Sequence, residues 1–231
     1  MSDTKDTNDT EETKEAKEVK EVRNDTCITK GRRGEINTYV ELVNWPGPPD
    51  AHYVLQNLYL PNPGGKTTYT QIDLIYLHTS GIYMIEVKDW LGRIYVDEKQ
   101  DGKWNRVTPD WTGNKYDSLG SPLRQNERHE EALRKLLEDE SKELPVHHIA
   151  VFSDARCRII RLDYPWEKTV VYLRDLRAAI ECIARENQNR LLPDQVQNLY
   201  EQLRVKQNPP EEIVKQHIKE VEALKSKCEG S

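Results

Sequence analysis

Apolar positions along the chain switch between two periods. In residues 31–43, GRRGEINTYVELV, the apolar Ile36, Tyr39, Val40 and Val43 recur at helical spacing, and Trp45-Pro-Gly-Pro-Pro ends the helix. Strand-like runs then follow at 52–60, 67–77, 81–87, 93–97 and 103–107. Pro61-Asn-Pro-Gly-Gly and His78-Thr-Ser-Gly are their turns, which predicts a meander of antiparallel hairpins. After a polar loop, helical spacing returns over 125–137, with Ala132, Leu133, Leu136 and Leu137 on the apolar side. Further strands are predicted at 146–152, 156–161 and 169–172, and helices at 173–185, 194–204 and 211–227, the last two preceded by proline at the favoured start. The expectation is an α/β fold with a mixed central sheet flanked by helices and a helical C-terminal extension.

The first 26 residues break both periods. They carry nine acids and five bases with only Ala16, Val19 and Val22 as a faint apolar stripe, a composition that predicts disorder or a transient helix. Residues 27–140 then hold the candidate chemistry, 141–190 complete the α/β domain, and 191–231 form the helical extension. At 231 residues, 36% hydrophobic and 32% charged, the chain suits one cored domain with appendages.

Charge and cysteine usage narrow the setting. The net charge is −6, of which the N-terminal segment supplies −4, so a local basic cleft remains compatible with the rest. No apolar run approaches the roughly 20 residues of a membrane helix, and neither a secretory signal nor a transit peptide is recognisable, so a cytoplasmic protein without membrane contact is expected. Cys27, Cys157, Cys182 and Cys228 lie far apart and read as free thiols, some buried and some exposed.

The segment QIDLIYLHTSGIYMIEVKDW places Asp73 on one apolar strand and Glu86-Val-Lys88 on the next. Charges in such runs are costly to bury unless paired or metal-bound. Strand alternation points Glu86 and Lys88 to one face, and pairing through the turn at 78–81 brings Asp73 to the same end. Two carboxylates from adjacent strands suit Mg²⁺, with Mn²⁺ as a substitute and the Val87 carbonyl as a further oxygen. Lys88, beside carboxylates and a phosphate, is expected to stay charged and to contact the attacking water or the developing charge. The plainer reading is a buried ion-pair network without chemistry.

These residues carry a resemblance. Asp followed by Glu-x-Lys on neighbouring strands is similar to the PD-(D/E)xK, restriction-endonuclease-like superfamily. From residue 31 to 137 the chain resembles the NERD, or nuclease-related, domain through Gly31-Arg-Arg-Gly34-Glu35, Ile72-Asp73-Leu-Ile-Tyr, Gly81-Ile-Tyr-Met-Ile-Glu86-Val-Lys88, Trp90-Leu-Gly92-Arg-Ile and Pro122-Leu-Arg-Gln125-Asn126. The resemblance implies a restriction-endonuclease-like core and a metal-dependent nuclease acting in DNA processing, repair or defence. It implies Asp73, Glu86 and Lys88 as the catalytic core, Asp73 and Glu86 as metal ligands, Glu35 as a supporting acid that also reaches the metal, and Gln125 facing the site. Ile72 departs from the superfamily's proline, and Ser121 stands where the family has asparagine, which bears on the hydrogen bonding of that turn.

Gln125 and His129 share a helix face, with Arg128 nearby, so Arg128 and His129 are candidate contacts to the substrate backbone. Trp90, Trp104 and Trp111 read as packing anchors, and Arg156, Arg158 and Arg161 as a solvated strand edge. His147 and His148, adjacent on a strand, face opposite sides. The partner expected is nucleic acid, DNA favoured, with the C-terminal helices as a surface for self-association or a protein partner. The alternative function is a noncatalytic nucleic-acid-binding or adaptor module on a nuclease-like fold.

Overall fold

The computed structural model describes residues 31–48, 52–97, 103–138, 143–163 and 168–229. The N-terminal segment with Cys27 lies outside the described residues. The first helix, α1, covers 31–43. It is followed by β1 (His52–Pro61), β2 (Tyr69–His78), β3 (Gly81–Lys88), β4 (Gly92–Asp97), β5 (Lys103–Asp110) and β6 (Gly113–Gly120). Then come α2 (Pro122–Leu137), β7 (Val146–Phe152), β8 (Cys157–Asp163), β9 (Lys168–Tyr172), a 3₁₀ turn at Leu173–Asp175, α3 (Leu176–Glu186), α4 (Pro193–Arg204) and α5 (Glu211–Glu229).

The fold is α/β, with two mixed sheets flanked by helices. The larger sheet runs β1-β2-β3-β7-β9, antiparallel through β3 and parallel beyond it. The predicted meander stops at β3. The chain crosses at Asp89-Trp90-Leu91 into a second sheet ordered β6-β5-β4-β8, in which β4 pairs β8 in parallel. The polar stretch read as a loop before α2 is largely strand β6. Its side chains are mostly exposed, so no apolar alternation marked it.

Alternation on β3 sorts the core. Ile82 and Met84 pack with Ala132, Leu133 and Leu137 of α2 and with Val196, Leu199 and Leu203 of α4. Tyr83, Ile85 and Val87 pack on the other face with Leu42 of α1 and with Leu176 and Ile180 of α3. Glu86 and Lys88 continue the Ile82–Met84 row and so point toward α2. A third cluster joins the two sheets, with Ile94, Val96 and Trp104 against Leu123, Ala150 and Phe152.

Of the apolar positions at helical spacing in α1, Tyr39 packs inward beside Leu42, while Ile36, Val40 and Val43 are exposed. Trp104 is fully buried and Trp90 packs edge-on against Phe152, but Trp111 is exposed at the β5–β6 turn. Cys157 is buried and Cys182 exposed, as free thiols, while the side chain of Cys228 lies outside the described residues. Among the described residues no helix is long and apolar enough to cross a membrane.

Candidate active site

The ladder between β2 and β3 pairs His78 with Gly81 through to Leu74 with Ile85, and then ends. Where the next bonds would form, Asp73 Oδ2 accepts the N–H of Val87 at 2.9 Å. The strands part there, and β3 continues alone against β7, pairing Glu86 with Ala150 and Lys88 with Phe152. Asp73 and Glu86 therefore meet at the opening of a fork between strands. Both are buried, at 8% and 2% exposure.

Helix α2 closes the fork. Ser121 caps it, its hydroxyl accepting the N–H of Arg124 at 3.2 Å, so serine supplies the hydrogen bond at this turn. Asn126, fully buried, donates from Nδ2 to the carbonyls of Met84 (3.0 Å) and Ile149 (3.2 Å), fastening the helix across β3 and β7. That anchor sets Gln125 against the site. Lys88 Nζ donates to Glu86 Oε1 at 2.6 Å and to Gln125 Oε1 at 3.1 Å.

His129 lies one turn further along α2. It is 4% exposed, with Nδ1 2.7 Å from Thr70 Oγ1 and Nε2 3.4 Å from Glu86 Oε2. That second approach lacks hydrogen-bond geometry, and both Glu86 Oε2 and His129 Nε2 are buried without a hydrogen-bond partner. The hydrogen bond of His129 is thus to Thr70, with its other ring nitrogen facing the site acid, whereas Arg128 is exposed beside it.

Glu35 arrives from the opposite layer. Gly34 lets the start of α1 lie against the strand ends, since a Cβ there would sit 2.6 Å from Ser153 Oγ. Burial and the Glu86 charge raise the Glu35 carboxyl above its ordinary range, opposed by Lys88 and Arg32. Asp73 is raised well above its range by burial, then by Glu86 and Glu35, with Lys88 and the Val87 N–H pulling the other way. For Glu86 burial acts upward, but Lys88 and then His129 outweigh it and hold the carboxyl low. Burial opposes charge on Lys88, yet Glu86 and Asp73 keep its ammonium above the usual range. Tyr59 is also near, its hydroxyl raised by burial and by the Glu35 and Asp73 charges.

The predicted core of Asp73, Glu86 and Lys88, the supporting acid Glu35 and the facing Gln125 therefore belong to one cluster of interacting groups. Three acids face one lysine, and one carboxylate oxygen is orphaned in a buried place. This donor set fits a divalent cation, which would relieve the repulsion between the acids and engage Glu86 Oε2. Among the described residues no three His, Cys, Asp or Glu side chains are placed so that they could hold a metal ion together. Mg²⁺ does not need three, since it commonly binds through one or two carboxylates and keeps its waters.

A cavity of about 720 Å³ opens onto Asp73, Gln125 and His129, with Lys66, Arg128 and Lys135 among its lining residues. Its walls are the β1–β2 turn, α2 and α5. Helix α5 is held to β2 and the turn before it by Glu220, which accepts the Thr68 N–H and hydroxyl at 2.7 Å each, and by His217 Nδ1, 3.0 Å from the Tyr69 carbonyl. Sequence reasoning missed Asn126 and Thr70 as positioning residues. The one available signal was a polar residue on an otherwise apolar helix face.

An uncharacterised protein of Bacillus anthracis is 31% identical to the chain over 172 residues, covering 74% of each. No solved structure matches it. The family model described as nuclease-related domain matches residues 30–153, the stretch that holds every acid, the lysine and both helices of the site, and the chain belongs to this family, whose general placement is in the PD-(D/E)xK superfamily.

Proposed function

We propose that the protein is a metal-dependent nuclease hydrolysing phosphodiester bonds, with DNA favoured by the family's association with DNA processing. The observation that carries this reading is Lys88 Nζ held between Glu86 Oε1 at 2.6 Å and Gln125 Oε1 at 3.1 Å, beside two further acids. A structural ion pair has no need of buried Asp73 and half-buried Glu35 beside it, because like charges there cost stability. A phosphoryl-transfer site needs those acids.

Asp73 and Glu86 would hold Mg²⁺ or Mn²⁺, with Glu35 and the Val87 carbonyl as further oxygens. The ion supplies Lewis acidity at the phosphate and acidifies a water. The chain's own residues do the rest. Lys88, kept charged by its acids, stabilises negative charge developing on the phosphate oxygens. Gln125 fixes the direction of that ammonium, and Lys66 and Arg128 at the cavity contact the flanking phosphates.

The test is cleavage of labelled single-stranded, duplex and branched DNA and of RNA, with Mg²⁺, Mn²⁺ or chelator, by the wild type and Lys88→Ala. Loss of cleavage by at least about 100-fold in the variant, at a temperature where it is shown to be folded, supports the mechanism. Wild-type cleavage by the variant refutes it. Binding without cleavage under every metal returns the protein to the noncatalytic adaptor reading.

A further inference from the structure

The hairpin of β5 and β6 takes no part in the site, yet it ends in a tryptophan with 96% of its surface exposed. Single exposed apolar residues are ordinary, so exposure alone decides nothing. The turn, however, is built to hold this one out. Asp110 Oδ1 accepts both the N–H and the hydroxyl of Thr112, at 2.7 and 2.6 Å, stapling the two-residue loop on which Trp111 stands. Tyr116 on the same arm is 74% exposed.

The arm is also tied mechanically to the site. Its base pairs Trp104 with Leu119, and Trp104 is buried against Phe152, the residue registered beside Lys88. Strand β6 then runs directly into Ser121, the cap of α2, four residues before Gln125. From that base to the tip are six residues, roughly 20 Å at about 3.4 Å per residue. The same length spans about six stacked bases of a nucleic-acid strand.

We propose that this hairpin is a nucleic-acid contact arm on which Trp111 stacks against a base of a single-stranded stretch of the substrate, an inference that rests on the nuclease reading above. An indole plane fits any base, because every base has a π-face. In a duplex those faces are covered by neighbouring pairs, so an unpaired stretch or end is the matching partner. Beside the indole stand Asp110, its carboxylate engaged by Thr112, and then Thr112, Asn114 and Lys115, the last 3.3 Å from Asp117; the hydroxyl, amide and ammonium suit sugar and phosphate. An apolar lipid surface would find two rings, Trp111 and Tyr116, among polar and charged neighbours.

The experiment measures binding of short labelled oligonucleotides, single-stranded, blunt duplex and duplex with an overhang, in chelator so that nothing is cut. Trp111→Ala is expected to bind the single strand and the overhang about 5- to 100-fold more weakly, with the blunt duplex little affected. Trp111→Phe, which keeps a π-face, should restore most of the affinity, and the salt dependence should not change because no cation is removed. Thr112→Ala, which removes the hydroxyl bond of the staple without changing charge, should lie between wild type and Trp111→Ala. Wild-type affinity in Trp111→Ala overturns the proposal. So does a wild type that binds no oligonucleotide, or a variant that loses only its binding to anionic phospholipid vesicles. Failure of the nuclease reading is separate: it shows as no metal-dependent cleavage by the wild type while the Trp111 effect on binding persists.

Discussion

The carboxylate of Asp73 accepts the backbone N–H of Val87, at 2.9 Å, at the point where the β2–β3 ladder ends. The side chain is thus structural acceptor and candidate ligand at once, and two substitutions separate these roles. Asp73→Asn keeps an acceptor for Val87 and removes a charge that burial, Glu86 and Glu35 all disfavour. Because the folded carboxyl is raised, its contribution to stability is full below the ordinary Asp range, about 4, and is lost as pH rises through the folded value. Melting temperatures in chelator should therefore show Asp73→Asn at least as stable as wild type, by a margin that opens as pH rises from about 4. Asp73→Ala, which strands the N–H, should fall below Asp73→Asn by about 1–3 kcal/mol. Adding Mg²⁺ should raise the melting temperature of the wild type and not of Asp73→Asn.

Much of this site was legible in the chain because strand alternation is rigid. Once 81–88 is a strand, Glu86 and Lys88 must share a face, and a two-residue turn returns Asp73 to their end. The depth of α2 in the fork was not legible. It depends on Asn126 bonding two carbonyls from strands that are distant in sequence, and helical spacing records nothing of that. Which face of α1 turns outward was not legible either. Ile36, Val40 and Val43 have helical spacing, but the side that packs is set by Gly34 and Thr38, the small residues that let the helix approach the strands.

His129 and Arg128 are adjacent and should fail differently. Buried His129 joins Thr70 to the neighbourhood of Glu86, so His129→Ala should act through the acid. The expected result is a 10- to 100-fold loss in kcat or a matching rise in the Mg²⁺ needed for half-maximal rate, with KM for the nucleic acid little changed. Exposed Arg128 lines the cavity, so Arg128→Ala should raise KM and reduce the salt dependence of binding while sparing kcat. A KM effect from His129→Ala with an unshifted Mg²⁺ requirement would return it to the role of a substrate contact.

Acid sensitivity should trace in part to the far end of the sheet. Burial, with His148 and Arg190 adding to it, lowers the pKa of His147, against the hydrogen bond to the Ser80 carbonyl at 3.2 Å. A depressed folded pKa means that the unfolded chain takes up the proton first, so this stability is present above about 6.5 and is lost as pH falls through the folded value. His147→Gln keeps a donor for Ser80 and cannot be protonated. Between pH 7.5 and 5 its melting temperature should fall less than that of the wild type, and equal falls would exclude His147 as a source of the slope.

Gly34 sets how closely Glu35 approaches the site, and the obstruction to any larger residue is one atom. A Cβ at position 34 would lie 2.6 Å from Ser153 Oγ, but 3.4 Å from both Ser153 Cβ and Val87 Cγ1, which is ordinary contact. Gly34→Ala should thus force either α1 outward or the serine off its hydrogen bond to Asp89, 3.0 Å long, at a cost of about 1–3 kcal/mol. Ser153→Ala alone loses that bond, at a cost of about 1 kcal/mol. In the double variant the obstructing oxygen is gone, so its stability should lie near that of Ser153→Ala, giving a favourable coupling energy in a double-mutant cycle. Cleavage should follow the same order if Glu35 supports the site, with Gly34→Ala impaired and the double variant largely restored. Additive losses in both readouts would mean that the approach of α1 is not limited by Ser153.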